Sequence, residues 1–404
     1  METRGMIGNL RHLRILLALQ ETRSVTKASE RCHVSQPAVT LALGKMERSA
    51  GTPLFERTPQ GFFVTPEGDV LCRRIERALA LLDPAMAELA PRLKLTVTSA
   101  QLHALIAVVE AESFSEAARR LNLSQPTVHR AISQMEKEVG QALFERTSHG
   151  MIASRPTRSL AVAARLAFAE LEQARADLGE IAGREVGRIV IGAMPLSRAF
   201  LLGPAIARFR MRRPTLALRI VEGPYEDMAL GMRRGDIDFL IGALRAPDSV
   251  ADFAQEEIFH DRMVVVCRPG HPLHGKQQPC LQSLAEFPWV VSGQGSPARH
   301  FFDTLFARHG VEPPNSLVET GSLVLMREIL RHSDHLGFIS ALQVRADRQA
   351  GLLVTLTHPL EETSRPIGLT CRKAWIPTKA QAEFMEDIRF FGLQAGQDGT
   401  RQQD

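Results

Sequence analysis

Apolar residues in the first half of the chain recur with helical spacing, and the same pattern occurs twice. The repeated face is formed by Leu13, Leu16, Leu17 and Leu19, and again by Leu102, Leu105, Ile106 and Val109. A short second helix is predicted after Ser24 and after Ser113, each placed like an N-cap. A third helix opens with Ser-Gln-Pro at Ser35 and Ser124, where proline loses no hydrogen bond, and runs to about Met46 or Met135.

The repetition extends to residue identity at a constant offset of 89. Aligning residues 10–61 with 99–150 without a gap gives 21 identities in 52 positions. Two occurrences, each long enough for a small domain, favour duplication of one domain over a solenoid. We name residues 8–66 copy one and residues 97–156 copy two.

Each third helix is followed by a predicted two-stranded wing. In copy one, residues 54–57 and 61–64 read as strands around a tight turn. Thr65 is a candidate cap for a helix over about 67–89, which ends at Pro91 and is long enough to pair with another like it. We assign residues 67–94, which contain this helix, to the linker helix of copy one.

The second half alternates between strand and helix patterns, which implies a parallel sheet flanked by helices. A long helix is predicted over 159–181, and Gly270-His271-Pro272 is a candidate crossing point between two α/β units. The predicted strands are 188–192, 216–221, 237–241, 263–267, 289–292, 337–340, 352–356 and 366–372. The predicted helices are 201–212, 225–234, 297–309, 323–331 and 379–391, before a polar, frayed tail from Gln394.

Composition and motif content narrow the function. The 404 residues are 44% apolar and 23% charged, as in folded globular chains, and the net charge of +4 excludes a histone-like coat but not local nucleic-acid contacts. No apolar run approaches a membrane span and the N-terminus lacks a signal-peptide pattern, which predicts a cytoplasmic protein with no membrane contact.

The residue types needed for metal binding or catalysis show no recognisable spacing. The five cysteines include no CxxC pair, so we expect reduced thiols and neither a zinc site nor a disulfide framework. The 13 histidines form no HExxH or HxH motif, and GxSxG and P-loop motifs are absent from the sequence. We therefore expect no catalytic residues, no cofactor and no enzyme activity.

The third helix of each copy follows a turn and begins with proline. This suits an element that lies in the DNA major groove and presents its N-terminal side chains to the bases. The segments that carry the pattern are Val34–Thr40, Met46-Glu47, Leu54–Thr58 and Thr65–Gly68. They resemble the winged helix–turn–helix of LysR-type transcriptional regulators. Copy two matches through Thr147 and then departs at Ser154–Thr157. The family normally has one such domain, so the duplication leaves open which copy reads the operator.

The resemblance implies DNA-contact residues in both copies. In copy one they are Ser35, Gln36, Pro37, Thr40, Lys45 and Arg57, and in copy two Ser124, Gln125, Pro126, Thr127, Arg130 and Arg146. Thr40, Leu41 and Lys45 correspond to His129, Arg130 and Gln134, so the two copies should prefer different sequences if both bind. The alternatives are that one copy is a packing module, or that these side chains are merely solvated.

The C-terminal half resembles the effector-binding domain of the same family, which shares its two-lobed architecture with periplasmic solute-binding proteins. Gly235–Asp238 and Arg268–Leu273 carry this likeness. It implies a multidomain α/β chain: a linker/dimerisation helix at 157–184, an effector domain at 187–392 and a tail at 393–404. Lobe one takes 187–263 and 361–392, and lobe two 264–360. In the family the helix at 157–184 forms the dimer contact; the alternative is a core helix of copy two alone.

Ligands of such folds lie beyond the carboxyl ends of strands. The residues predicted there are Met194, Pro195, Ser197, Ser292, Gly293, Gln294, Ser296, Thr320 and Ser322. Ser296 before Pro297 marks a helix N-terminus, which favours an anionic group and hence a carboxylate effector; the alternative is that Ser296 only caps its helix. Arg198 and Arg299 lie near in sequence, although we expect each to be exposed.

The sequence thus predicts a DNA-binding transcriptional regulator that senses a small molecule and acts as a homodimer or homotetramer. Its partners would be double-stranded DNA and an organic anion. We expect effector binding to close the two lobes and change how dimers pack, and thereby to alter DNA spacing or bending. The alternatives are a solute-binding protein or enzyme with the same two-lobed fold, and an architectural DNA-binding protein that needs no effector.

Overall fold

The computed structural model describes residues 9–148, 150–246, 250–276, 278–358, 360 and 363–401, with side chains described as far as Ala395. It divides into two compact units. The first runs to Gly187 and includes Arg233–Asp236, and the second contains the remaining residues.

The first unit contains the same series of elements twice. Copy one forms α1 (Leu10–Thr22), α2 (Val25–Cys32), α3 (Gln36–Ala50), β1 (Phe55–Thr58) and β2 (Gly61–Val64), followed by α4 (Pro66–Leu89) and the short α5 (Leu93–Thr96). Copy two forms α6 (Ser99–Ala111), α7 (Phe114–Leu121), α8 (Gln125–Val139), β3 (Phe144–Thr147) and β4 (Gly150–Ala153), followed by α9 (Arg155–Ile181). The third helices extend four residues past the predicted ends and stop at Gly51 and Gly140, whose positive φ closes them.

Small polar side chains start most of these helices as predicted. The Ser24 and Ser113 hydroxyls accept hydrogen bonds from the Lys27 and Glu116 amides. At the long helices, Thr65 caps α4 and Ser154 caps α9, although the copy-two sequence departs from the family pattern there. Both wings pair antiparallel with matching register. The departure at 154–157 therefore leaves the second wing intact.

Helices α4 and α9 pack along one another within the chain. The predicted face of α9, formed by Leu160, Ala164, Leu171 and Leu178, is buried in one core that also includes both copies. The alternative of a core helix of copy two alone is wrong, because this face also packs with copy one. The dimer contact of this helix stays a prediction.

The second unit has two lobes with a five-stranded sheet each. Lobe one contains β5 (Arg188–Ala193), a π-helical turn (Ser197–Leu201), α10 (Leu202–Arg212), β6 (Ala217–Val221), α11 (Tyr225–Arg233), β7 (Phe239–Ala243), β8 (Phe253–Asp261), β14 (Arg365–Arg372) and α16 (Lys379–Arg401). Lobe two contains β9 (Met263–Cys267), α12 (Leu281–Ala285), β10 (Trp289–Val291), α13 (Pro297–Arg308), β11 (Leu317–Glu319), α14 (Leu323–Arg331), β12 (Leu336–Ser340), α15 (Arg345–Gln349) and β13 (Val354–Thr355).

Both sheets are mixed, which corrects the prediction of parallel sheets. The strand orders are β6-β5-β7-β14-β8 and β11-β10-β12-β9-β13. Strands β5, β6 and β7 are parallel, as are β10, β11 and β12, but β14 and β9 run antiparallel to their neighbours. The reversed strands are those that follow a crossover between lobes.

Two further predictions of the second half are wrong. The chain crosses to lobe two at Arg262, between β8 and β9, and Gly270-His271-Pro272 lies beyond that point. Strand β8 was missed because Gln255, Glu256 and Glu257 interrupt its apolar pattern at the sheet edge. Helix α16 continues to Arg401 where a frayed tail was expected, and Ala395 is buried in the lobe-one core. Residues 402–404 of the predicted tail lie outside the described residues.

Candidate nucleic-acid interface and ligand site

The predicted base-reading residues share one exposed face of the third helix in each copy. The exposed side chains are Gln36, Pro37, Thr40 and Lys45 on α3, and Gln125, Pro126, Thr127 and Arg130 on α8. The opposite faces of these helices are buried, through Val39 and Met46 in copy one and Val128 and Met135 in copy two. Packing thus fixes each helix by its apolar side and leaves the polar side open to a partner.

The two third helices begin differently. The Ser35 hydroxyl accepts a hydrogen bond from the Ala38 amide at 3.4 Å, as predicted. Ser124 occupies the N-cap position of α8 as predicted, but its hydroxyl pairs with the Thr127 hydroxyl at 2.7 Å and makes no side-chain cap bond.

An identical glutamate joins each third helix to its wing. The Glu47 carboxylate accepts hydrogen bonds from the Leu54 and Phe55 amides at 2.9 and 3.4 Å. In copy two, Glu136 accepts from the Leu143 amide at 3.0 Å. These contacts hold the base of the wing against the third helix. The repetition of this glutamate at the 89-residue offset is the sequence signal for the shared role.

Each wing is also attached to the end of the first helix of its copy. Gly61 and Gly150 have φ values of +128° and +130°, and an added Cβ would come within 2.5 Å of the Arg23 carbonyl oxygen and 2.8 Å of that of Glu112. The same oxygens accept hydrogen bonds from the amides that follow the glycines, at 3.0 and 2.8 Å. Only glycine permits this conformation and approach.

The wings present two of the arginines predicted to contact DNA. Arg57 and Arg146 are exposed at equivalent places on β1 and β3. The Arg57 guanidinium lies 5.9 Å from the centre of the Phe62 ring. At the helix end beside each wing, copy one exposes Arg23 where copy two exposes Glu112. The frames match while the surface charges differ.

The predicted ligand residues of lobe two come together at the carboxyl edge of its sheet. Residues 292–296 follow β10, and Thr320 follows the adjacent parallel strand β11. The Thr320 amide donates to the Val291 carbonyl at 2.9 Å, and the Thr320 hydroxyl accepts from the Ser322 amide at 3.1 Å. This edge therefore joins two segments that are separate in sequence.

Most hydroxyls at this edge already serve the fold. Ser296 accepts from the Arg299 amide at 3.2 Å and donates to the Gly293 carbonyl at 2.8 Å. Ser322 caps α14 through the Leu325 amide. Arg299 is buried and pairs with Asp303 and Glu319, so the expectation that it is exposed is wrong. Two carboxylates neutralise the arginine nearest this edge.

The lobe-one edge carries less compensated positive charge. Ser197 is fully buried and donates to the Met194 carbonyl at 2.7 Å, within a π-helical turn of the kind often found at functional sites. Met194 and Pro195 are half-buried, and Arg198 is also half-buried rather than exposed as expected. Arg198 pairs with Glu222, yet its Nε is buried without a hydrogen-bond partner.

A second arginine at the same edge was missed by sequence reasoning. Arg245 follows the carboxyl end of β7, beside β5, and its guanidinium lies 4.3 Å from the centre of the Tyr225 ring. Its Nε is buried without a partner, and burial lowers the pKa of its side chain. Its place four residues after the predicted strand 237–241 was the available signal.

Buried polar side chains join the strands at the crossover between lobes. Asp261 at the end of β8 pairs with Arg365 at the start of β14, at 3.1 Å, and accepts from the Ser340 hydroxyl at 2.9 Å. Burial raises the pKa of Asp261, while Arg365 opposes the shift. Both lobes therefore contribute to one polar cluster.

Metal and membrane sites were also sought in the described part of the chain. It holds no group of three or more His, Cys, Asp or Glu side chains placed to bind a metal. Within the same residues, no helix combines the length and apolar character needed to cross a bilayer.

Family models match both halves of the chain. The model described as a bacterial regulatory helix–turn–helix protein of the lysR family matches twice, over residues 10–69 and 99–159. The model described as a LysR substrate binding domain matches residues 182–389.

Whole-chain comparisons agree with these matches. The HTH-type transcriptional regulator GalR of Pseudomonas putida is 34% identical over 386 residues, which cover 95% of this chain and 97% of that one. PcaQ of Agrobacterium fabrum is 29% identical over 71% of this chain and 93% of its own. Among solved structures, ArgP from Mycobacterium tuberculosis (18% identity, TM-score 0.55) and full-length OxyR from Pseudomonas aeruginosa (22% identity, TM-score 0.54) share the fold.

The coverage separates two groups of relatives. ArgP and OxyR each align over 96% and 95% of their own length but only 72% of this chain. GalR aligns over nearly the full length of both chains. The extra length of this chain is thus matched in GalR and has no counterpart in those two structures.

Proposed function

The chain belongs to the LysR family of DNA-binding transcriptional regulators, and we propose that both of its helix–turn–helix copies contact duplex DNA while its C-terminal domain binds a small organic anion. The observation that supports DNA contact most directly is the open polar face of α3 and α8. Each copy fixes its recognition helix by a buried apolar face, a glutamate brace and a wing attached through glycine.

The exposed side chains have distinct roles in this proposal. Gln36 and Gln125 lie in the first turn of each helix, where side chains reach base edges in the major groove. Arg130 can donate two hydrogen bonds to guanine, whereas Leu41, 56% exposed at the equivalent place, can only contact a thymine methyl group. Arg57 and Arg146 on the wings bind phosphates and set the register.

An organic anion suits the lobe-one edge. Arg198 and Arg245 follow adjacent parallel strands and each has a buried Nε without a hydrogen-bond partner. A carboxylate at this edge would satisfy those donors. The predicted ligand residues of lobe two, Ser292–Ser296 with Thr320 and Ser322, would supply neutral hydrogen bonds. The Ser296 and Ser322 hydroxyls are also used in helix caps.

Regulation would follow from a shift between open and closed lobes. The Asp261–Arg365–Ser340 cluster joins both lobes at the crossover, so a ligand that draws them together would act through these strands. We propose that the chain acts in the cytoplasm as a homodimer or homotetramer and has no catalytic activity of its own. Exposed apolar side chains such as Met211, Val324 and Leu325 provide surface for contacts between subunits.

The DNA part of the proposal is tested by selecting duplexes from a random-sequence library with the full chain and footprinting the enriched sequence. Arg57→Ala and Arg146→Ala should each weaken binding and lower the salt slope by about one unit, because each removes one phosphate contact. Arg119→Ala, an exposed arginine on α7 paired only with Glu116 in the contacts described, is the control and should bind as wild type. Unchanged affinity in both wing variants would refute these phosphate contacts.

The ligand part is tested by calorimetry with a panel of small carboxylates, each with its neutral amide as the matched control. Wild type should bind at least one carboxylate and not its amide. Arg245→Ala should reduce that affinity at least tenfold, and Arg308→Ala on α13 should leave it unchanged. Equal binding of acid and amide would refute the organic-anion proposal.

A further inference from the structure

The linker helices of the two copies form an antiparallel pair. The Arg74 guanidinium on α4 contacts Asp177 on α9 at 2.9 Å and Glu170 at 3.0 Å. One turn further along α4, Arg77 contacts Glu170 at 3.0 Å. Contacts nearer the carboxyl end of α4 thus fall nearer the amino end of α9, so the two helices run antiparallel.

This ionic cluster is buried rather than superficial. The side chains of Arg74 and Glu170 are each 7% exposed, and Gln173 accepts a further hydrogen bond from Arg74 at 2.8 Å. Around it, the apolar faces of both helices merge into a single core that includes residues of both copies. The two copies are therefore parts of one packed body.

The ends of the two helices make reciprocal contacts. After α4, the Arg92 guanidinium donates to the Lys137 carbonyl at 3.1 Å and to that of Glu138, at the end of α8 in copy two. After α9, the Arg184 guanidinium lies near Gly51 at the end of α3 in copy one, 3.8 Å from the position of an added Cβ. Each linker helix thus reaches the recognition helix of the other copy.

Antiparallel pairing with exchanged contacts is the arrangement that an approximate twofold axis produces. A rotation by 180° about this axis superposes one recognition helix on the other. Both recognition helices therefore face the same end of the axis. Duplex DNA has local twofold axes perpendicular to its length, so two surfaces related in this way can face neighbouring turns of one groove.

We propose that one chain is a built-in dimer of helix–turn–helix copies that docks both recognition helices on a single duplex with two unlike half-sites. The inference deepens the proposed function, on which it rests, by specifying its partner: an asymmetric operator with half-site centres about 10 base pairs apart. The asymmetry follows from the exposed substitutions between the copies, Leu41 for Arg130 and Lys45 for Gln134.

The test uses the full chain and the matched variants Gln36→Ala and Gln125→Ala. These glutamines are identical, exposed and equivalent in the two copies, so neither change should disturb folding. Each protein selects from the same random duplex library, and native mass spectrometry counts chains on the enriched duplex. Wild type should recover two different motifs at fixed spacing, with both motifs bound by one chain. Each variant should lose sequence preference in one motif only, a different one, with affinity about tenfold weaker.

Three other results would overturn the inference. In the first, wild type recovers a single motif, and one of the two variants binds it as wild type does. The copy that carries the substitution in that variant then makes no contact with the DNA. An inverted repeat of one motif, with both halves weakened by the same variant, means that two chains contribute one copy each. No enrichment with wild type refutes the proposed DNA binding itself and is distinguishable from the first two results, in which the chain still binds.

Discussion

Copy one and copy two have the same frame and different surfaces. Positions that attach elements to each other are identical, as with Glu47 and Glu136 at the wing base and Gly61 and Gly150 in the wing. Some positions on the exposed face differ, as with Leu41 and Arg130, although Gln36 and Gln125 are identical. The difference teaches that the fold restricts the residues that attach elements to each other, while part of the exposed face can change its partner preference.

The largest expected effect concerns what holds the copies together. Arg74→Ala leaves Asp177 without the buried arginine it contacts, which should lower the free energy of unfolding by about 3–5 kcal/mol. Urea denaturation measures this loss. The neighbouring Arg73→Ala removes an exposed pair with Asp69, with side chains 64% and 42% exposed, and should cost at most about 1 kcal/mol. Equal losses would show that the cluster does not join the copies.

The next effect tests whether the frames are equivalent. Gly61→Ala and Gly150→Ala place a Cβ against a carbonyl oxygen at positive φ and should each cost about 1–3 kcal/mol of stability. Gly203→Ala on α10, where an added Cβ meets nothing within 4 Å, is the control. Thermal unfolding of the three variants provides the measurement. If only one wing variant is destabilised, the two wings are not held in the same way.

A third substitution makes copy two resemble copy one on its surface. Arg130→Leu introduces the residue that copy one carries as Leu41, and it should remove about 1–3 kcal/mol of base discrimination from one half-site. Folding should be unaffected because Arg130 is exposed. Competition binding with single-base variants of the selected duplex measures the change. Unaltered discrimination at every base would exclude Arg130 as a reader.

The smallest effect separates the two helix starts. Ser35→Ala removes a side-chain cap and should cost about 1 kcal/mol. Ser124→Ala removes only a hydroxyl contact with Thr127, because Ser124 makes no cap bond, and should cost less. Chemical denaturation of both variants checks the order. A larger loss for Ser124→Ala would mean that its hydroxyl does more than the structure shows.

Local patterns were a good guide to the helices and wings. Serine and threonine caps, proline at the first turn and the 89-residue offset predicted both copies, since these signals act over a few neighbouring residues. Edge strand β8 was missed, because three consecutive polar residues, Gln255–Glu257, hide its period of two. The predicted ligand residues lie beyond strand ends as expected, but the Ser296 and Ser322 hydroxyls are used in helix caps.

The sequence by itself determined the family, the duplication pattern and the exposed polar side chains of the third helices, because each depends on short motifs and on which residues are polar. Only the tertiary structure decided that α4 pairs with α9 in the same chain and that Arg198 and Arg245 share one sheet edge. Those facts depend on contacts between residues about 50 to 100 positions apart, for which periodicity carries no signal. A long apolar face requires burial, but it does not specify whether its partner belongs to the same chain or another.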